Sequence, residues 1–206
     1  MPSVTLEQLR QYYDNSVDIS AAIVHDIDPT MEYVRRLTPS SVYVFQVRKR
    51  KNIFVLKVAI EGIGDTKWKI QHLAKEKKTL TLAHDIPGIT HLVKAYRDNG
   101  PYRNAILKEF FEGNTLRTVY SRYYGDRARF NGSRLRPQLE RTVRELHARG
   151  VANLDLTPNN IAISGKEEDI CLIDAGYGEF KRGMTAEQFN RYRQDDLDDV
   201  ERVLRQ

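Results

Sequence analysis

The chain has 206 residues, a formal net charge of +5 and a pI near 9.2, with 40% hydrophobic and 30% charged residues. This length allows one sizeable core or two small lobes, and we do not expect a large multidomain enzyme. The composition is that of an ordinary globular protein, and no apolar run approaches the ~20 residues that cross a bilayer. We therefore expect a folded, cytoplasmic protein without a transmembrane segment.

The first half of the chain is predicted to form a helix and then a sheet. Thr5 is expected to cap a helix over 5–16, inside an N-terminal helical extension that we place at 1–30. A second helix is predicted over 67–83, where apolar residues recur at helical intervals. Period-two patterns predict strands at 33–34, 42–47, 53–60, 91–96 and 105–111.

The second half is predicted to be more helical. Four leucine and valine residues define one apolar stripe that ends at Gly150, a residue typical of helix C-termini. These residues are Leu135, Leu139, Val143 and Leu146. A polar loop over 153–160 then precedes a predicted hairpin with strands 161–164 and 170–173, and the final helix is predicted over 195–204.

Three polar residues carry the chemistry that this half suggests. Asp155 and Asn160 share the polar loop, and Asp174 stands at the turn after the predicted hairpin. Phosphoryl transfer needs a carboxylate near the attacking hydroxyl and oxygen ligands that hold Mg²⁺ against the phosphates. The three side chains can converge on one metal site, and Gly176 lets the backbone turn sharply beside it.

These residues resemble two motifs of the protein kinases. Asn153-Leu154-Asp155 with Asn160 resembles the catalytic loop, and Asp174-Ala175-Gly176 resembles the metal-binding Asp-Phe-Gly motif. The resemblance covers 31–206 and implies an α+β, protein-kinase-like two-lobed fold. We expect a small antiparallel-sheet N-lobe over 31–110 and a truncated helical C-lobe over 111–206.

The resemblance extends upstream to a lysine and a glutamate. Lys57 ends an apolar strand segment, as the phosphate-binding lysine of kinases does. Glu76 lies on the following helix, where the partner of that lysine is expected, although Glu61 competes for the role. The segment 107–114 resembles the hinge that receives adenine through main-chain hydrogen bonds. The adenine would be bound by backbone groups of Glu109, Phe110 and Phe111. The alternative interpretation of this segment is a strand that simply leaves the sheet.

The glycine-rich loop of kinases is missing, since 37–43 contains no glycine. Backbone N–H groups and the hydroxyls of Ser40 and Ser41 are expected to meet phosphate oxygens instead. The usual His and Arg before the catalytic aspartate are replaced by Asn153 and Leu154. An activity that does not depend on activation-loop phosphorylation is therefore expected.

The implied function is an ATP- and Mg²⁺-dependent kinase. Lys57, oriented by Glu76, would hold the α and β phosphates, while Asp174 and Asn160 would bind Mg²⁺. Asp155 would position or deprotonate the acceptor hydroxyl. The catalytic residues implied by the resemblance are thus Asp155, Lys57 and Asn160.

The part after Gly176 is too short for the peptide-binding platform of a typical Ser/Thr kinase. In this the chain is similar to compact atypical kinases: the RIO group, the kinase of the KEOPS complex and bacterial lipopolysaccharide (Kdo) kinases. The expected acceptor is a protein Ser/Thr or a sugar. Aminoglycoside-type phosphotransferases share the Asp-x4-Asn and Asp-x-Gly patterns, but they normally need a larger C-terminal half.

Two other functions stay open. The missing glycines and the Asn153-Leu154 pair fit a pseudokinase, a nucleotide-binding or scaffold module that transfers little phosphate. Arginines concentrate between Arg117 and Arg149, which favours an anionic partner such as RNA or a lipid surface. A solvated, charged helix face is the other interpretation of those arginines.

Overall fold

The chain forms two compact units in its computed structural model. One comprises residues 1–77 and 92–110, and the other comprises residues 78–91 and 111–206. The fold is α+β, as predicted, and in the described ranges no helix combines the length and apolar character that crossing a bilayer requires. The predicted division at residues 30 and 110 stays a prediction. The structure describes residues 4–13, 18–38, 42–62, 66–123 and 132–205.

The first unit combines helices with an antiparallel sheet that, among the described residues, has five strands in the order β1-β2-β3-β5-β4. Its helices are α1 (Leu6–Tyr13), α2 (Ser20–Ile27) and α3 (Thr66–Leu82), of which residues 66–77 belong to this unit. The strands are β1 (Glu32–Thr38), β2 (Tyr43–Lys49), β3 (Asn52–Ile60), β4 (Leu92–Ala95) and β5 (Tyr102–Glu109). Every predicted strand of this half is present, with shifted ends.

The strand register places two lysines on one face of this sheet. In β3, Lys57 lies opposite Ile106 of β5, and Val55 lies opposite Lys108. Residues that pair directly across strands share a face, and so do alternate residues along a strand. Lys57 and Lys108 therefore project from the same side of the sheet.

The helices α1 and α2 cover the other side. Phe45 and Leu56 pair across β2 and β3 and are fully buried. They share one hydrophobic core with Leu9 of α1 and Ile23 of α2. The N-terminal extension therefore packs on the sheet face opposite to Lys57.

The two N-terminal helices differ in the capping residues that mark their starts in the sequence. Thr5 caps α1 as predicted, since its Oγ1 accepts a hydrogen bond from the Gln8 N–H and Gln8 Oε1 accepts one from the Thr5 N–H. At α2 the N-cap residue is Ile19, which makes no side-chain cap hydrogen bond. This helix was not predicted as a separate element of the helical extension. Asp18 Oδ1 accepts a hydrogen bond from the Ser20 N–H at its start, and burial of its apolar face stabilises it.

A buried aspartate ties the extension to the sheet. Asp28 is 6% exposed, and its Oδ2 accepts hydrogen bonds from Lys49 Nζ and Tyr96 Oη, both at 2.9 Å. The Thr30 hydroxyl donates to Oδ1 at 2.6 Å. Burial alone would raise the pKa of Asp28, but the hydrogen bonds from Thr30, Lys49 and Tyr96 outweigh it and hold the pKa well below its ordinary value.

We expect Asp28→Asn to lower the free energy of unfolding by on the order of 2 kcal/mol at pH 7. Because the folded state lowers this pKa, the stabilisation is fully present above about pH 4 and is lost as pH falls further. Urea denaturation at pH 7 and pH 3 checks both points. Glu32→Gln is the matched control, since Glu32 forms an exposed ion pair with Arg48. An equal loss for Asp28→Asn at both pH values would contradict the role of its charge.

The second unit contains helices and short strands. Its helices are α4 (Leu116–Arg122), α5 (Arg136–Ala148) and α6 (Ala186–Leu204), with a 3₁₀ turn at Gly132–Arg134. Its strands are β6 (Gly113–Thr115), β7 (Val151–Ala152), β8 (Ile161–Ser164), β9 (Ile170–Leu172) and β10 (Glu179–Phe180). In the described part of the unit, β6, β8 and β9 form one sheet in the order β6-β8-β9, and β7 pairs with β10.

The predicted helix before Gly150 and the predicted hairpin are confirmed as α5 and as β8 with β9. The start of the final helix was wrong, because α6 begins at Ala186 rather than at residue 195. Thr185 caps it, with Oγ1 accepting a hydrogen bond from the Gln188 N–H and Gln188 Oε1 accepting one from the Thr185 N–H. This capping box was present in the sequence but was not recognised.

Candidate functional site

In the first unit, one glutamate binds two buried lysines. Lys57 Nζ donates to Glu76 Oε2 at 2.7 Å, and Lys108 Nζ donates to Glu76 Oε1 at 2.7 Å. Glu76 is 0% exposed, Lys57 5% and Lys108 2%. The strands β3 and β5 supply the lysines, and α3 supplies the carboxylate.

The structure thus brings Lys57 and Glu76 together, whereas Glu61 bonds Arg103. Lys108 had no predicted role, although the sequence carries a signal for it. Lys108 interrupts the apolar, buried part of β5 with a charged residue, as Lys57 does in β3. A buried charge is costly unless it is paired, so each lysine in these strands calls for a partner.

The pairing fixes the position of the Lys57 ammonium group. Charge-assisted hydrogen bonds are short and strong, and they strengthen where water is excluded. A lysine held in this way presents a localised positive charge of the kind that binds phosphate oxygens. The first unit therefore has the chemistry to bind an anion through Lys57.

In the second unit, Asn160 is bound to Asp155. The Asn160 side-chain amide nitrogen donates to Asp155 Oδ2 at 2.8 Å and to the Asp155 carbonyl oxygen at 2.9 Å. These bonds set the orientation of the amide, because its nitrogen must face Asp155. The Oδ1 atom of Asn160 is then the atom that can bind a cation.

The β8–β9 hairpin places Asp174 beside this loop. The Ile173 N–H donates to the Asn160 carbonyl oxygen at 2.8 Å, which continues the pairing of Ile161 with Leu172. Asp174 follows directly, and its Oδ1 accepts a hydrogen bond from the Gly176 N–H at 3.1 Å. The backbones of Asn160 and Asp174 are therefore neighbours, and a carboxylate and an amide oxygen are both ligands that Mg²⁺ takes in proteins.

The Tyr177 phenol is affected by the negative charges of Asp155 and Asp174. Burial raises the pKa of the Tyr177 phenol, and the negative charges of Asp155 and then Asp174 raise it further. Asp155 and Asp174 therefore act on the same small region. A concentration of negative charge such as this attracts a divalent cation.

A buried aspartate of α6 holds the loop that carries Asp155. Asp196 Oδ2 accepts from the Asn153 N–H at 2.9 Å and lies 2.8 Å from His147 Nε2, while Oδ1 accepts from the Leu154 N–H at 2.8 Å. Asn153 and Asp155 have φ values of 59° and 51°, in the left-handed region that L-residues rarely adopt. The bonds to Asp196 therefore stabilise a strained backbone at the candidate catalytic residue.

Asp196 had no predicted role. A signal existed, because Phe189, Val200 and Val203 are buried at helical spacing and Asp196 lies on the same stripe of α6. A charged residue on the apolar face of a helix has to meet buried polar partners. Only the full extent of α6, from Ala186, makes that stripe visible.

The other predicted site residues are placed as follows. Glu109 is the last residue of β5 and lies opposite Phe54 of β3, while Phe110 and Phe111 lie outside the strands. For all three residues, a main-chain contact with adenine stays a prediction. Ser40 and Ser41 lie outside the described residues.

Five of the seven described arginines of the 117–149 region make polar contacts with neighbouring side chains. Exposed ion pairs of this kind reduce the local net charge and add little to stability. An RNA or lipid partner for this region stays a prediction, for which a steep loss of binding with salt would be the signature. The contacts join Arg122 to Asn114, Arg136 to Glu140 and Glu201, Arg141 to Glu145, Arg144 to Glu140, and Arg149 to Asp85.

No protein-family model matches the chain. The chain is similar to a protein of Dictyostelium discoideum named "Probable myosin light chain kinase", with 29% identity over 121 residues. The match covers 58% of this chain, and it spans 38% of the length of that relative. This similarity indicates a kinase-like relationship, and no narrower family follows from it.

Proposed function

We propose that the chain is a compact kinase that transfers the γ-phosphate of ATP to a hydroxyl group with the help of Mg²⁺. The observation that carries the proposal is the arrangement of Asp155, Asn160 and Asp174. Asn160 is bound to Asp155 by its side chain, and its main chain is bound to the residue before Asp174. The same chain is similar to a kinase in sequence.

Each residue has a role that its surroundings support. Lys57, held by Glu76, binds the α and β phosphates, and Asp174 and the Asn160 Oδ1 atom hold Mg²⁺. The bound metal supplies neutralisation of the phosphate charge. Asp155 is partly exposed, so an acceptor hydroxyl can reach it and give up its proton there.

We further propose that the chain acts as a compact atypical kinase, similar to the RIO, KEOPS-complex and Kdo kinases, on a protein Ser/Thr or a sugar. The segment between Gly176 and α6 supports this, since its described residues 177–185 hold a short strand and no helix. Leu154 is fully buried beside Asp155, so this position offers no charge to a phosphorylated loop. Independence from activation-loop phosphorylation follows from that substitution. A cytoplasmic location belongs to the same proposal.

Thermal melting with and without Mg-ATP tests the nucleotide site. At ATP about a hundredfold above Kd, binding stabilises the folded state by about 2.7 kcal/mol, which raises Tm by several degrees. We expect Asp174→Ala to abolish the Mg²⁺-dependent rise. Asp169→Ala, at an exposed aspartate just before β9, serves as the matched control and should keep it. A wild type whose Tm does not respond to Mg-ATP would contradict the proposal.

A pseudokinase is the second candidate, favoured by the absence of glycine from 37–43. Without glycines, the backbone approaches phosphate oxygens less closely, so nucleotide binding and positioning are expected to be weaker. Such a module keeps the Mg-ATP response and transfers little phosphate. Turnover separates the two candidates.

A further inference from the structure

Lys108 is a buried lysine that the reaction above does not use. It lies in β5, is 2% exposed and follows the fully buried pair Ile106 and Leu107. An apolar residue would fit such a position without the cost of burying an ammonium group. Its presence therefore calls for an explanation other than core packing.

Lys108 donates a hydrogen bond to Glu76, on the oxygen that Lys57 does not use. Lys57 takes Oε2 and Lys108 takes Oε1, each at 2.7 Å. With a single partner, the carboxylate could turn about its last bond and still keep one hydrogen bond. With both oxygens bound, that rotation costs a charge-assisted hydrogen bond in a buried environment.

The two lysines hold Glu76 from adjacent strands. Lys57 on β3 and Lys108 on β5 project from the same sheet face, and Glu76 belongs to α3. The helix is thereby attached to two strands through one side chain. Buried ionic groups of this kind often add little net stability compared with apolar residues, but they can specify one arrangement over others.

We propose that Lys108 is a positioning residue, which fixes Glu76 and with it α3, so that Lys57 is oriented for phosphate without any activating modification. The catalytic consequence rests on the proposed function. The effect of Lys108 on Glu76 and α3 is independent of the proposed function, because these contacts exist in the chain without nucleotide. The inference therefore has one readout with nucleotide and one without.

The nucleotide-free readout is amide hydrogen exchange of residues 70–77 of α3. Lys108→Met keeps the length of the side chain and removes its charge, and we expect these amides to exchange on the order of tenfold faster. Lys51→Met, at the exposed turn between β2 and β3, is the control and should leave α3 unchanged. If Lys108→Met does not fold, Lys108→Gln keeps a donor and should show a smaller increase. Unchanged exchange in a folded variant would overturn the proposal.

The nucleotide readout is the KM for ATP in a double-mutant cycle. Lys108→Met should raise KM on the order of tenfold, with a smaller change in kcat, because Lys57 binds phosphates that do not react. In a Glu76→Gln background, Lys108→Met should have little further effect, since Lys108 acts through Glu76. Effects that simply add would mean that Lys108 contacts the nucleotide directly, and they would overturn the proposal.

The two readouts also separate this proposal from the proposed function. If α3 responds to Lys108→Met but wild type neither binds nor turns over ATP, the kinase function fails and the positioning of Glu76 stands. If wild type uses ATP and neither α3 exchange nor KM responds to Lys108→Met, the positioning role fails and the kinase function stands.

Discussion

Asp196→Asn is expected to lower the free energy of unfolding by on the order of 3 kcal/mol and phosphate transfer by about a hundredfold. The buried carboxylate accepts hydrogen bonds from the N–H groups of Asn153 and Leu154 and lies against His147 Nε2. An asparagine presents an NH₂ group to at least one of these donors. The loop then loses its support, and Asp155 moves from its position.

Urea denaturation measures the stability loss, and hydrogen exchange of the Leu154 amide reports on the loop itself. Asp195→Asn is the matched control, since it removes the same charge from an exposed neighbour on α6. This control should stay within about 0.5 kcal/mol of wild type. A stable Asp196→Asn variant with a well-protected Leu154 amide would contradict the supporting role.

Glu76→Ala is expected to cost about 3 to 5 kcal/mol, because it removes the carboxylate that binds two buried ammonium groups. Lys57→Met should cost less, since Glu76 then keeps its bond to Lys108. Wild type should therefore be the most stable protein, Lys57→Met less stable and Glu76→Ala the least stable. This order follows because both lysines bind the one carboxylate.

Urea or thermal unfolding of the three proteins checks that order. Glu61→Ala provides the control, because Glu61 forms a more exposed ion pair with Arg103 in the same unit. It should change stability by less than about 1 kcal/mol. A Glu76→Ala variant as stable as the Glu61→Ala control would show that the buried lysines do not depend on Glu76.

The sheet of the first unit could be predicted because its strands alternate and its turns are polar. The same holds for α5, whose apolar stripe ends at Gly150. The pairing of Lys57 with Glu76 was implied by the kinase resemblance, and the structure adds the physical reason, since a buried strand lysine needs a nearby carboxylate. Local patterns of this type survive folding because tertiary packing reinforces them.

Other features depend on contacts between distant segments. The N-cap residue of α2, Ile19, makes no side-chain cap hydrogen bond, and burial of Ile23 and Val24 in the core of the first unit stabilises the helix. The role of Lys108 can be recognised only from the strand register, which places it on the sheet face that carries Lys57. Asp196 lies more than forty residues from the amides that it binds, so no local pattern connects them. In the sequence, Lys108 and Asp196 are visible only as charged residues within apolar patterns. The structure identifies the groups that they bind.

The most direct measurement of the central claim is turnover of γ-labelled Mg-ATP, followed as labelled phosphate release, by wild type and Asp174→Ala. Loss of a metal-binding carboxylate is expected to slow the reaction by on the order of a thousandfold or more. We expect turnover in wild type that depends on Mg²⁺ and disappears in Asp174→Ala, while Asp169→Ala keeps the wild-type rate. Equal residual rates in wild type and Asp174→Ala would contradict the assignment of this chain as a kinase.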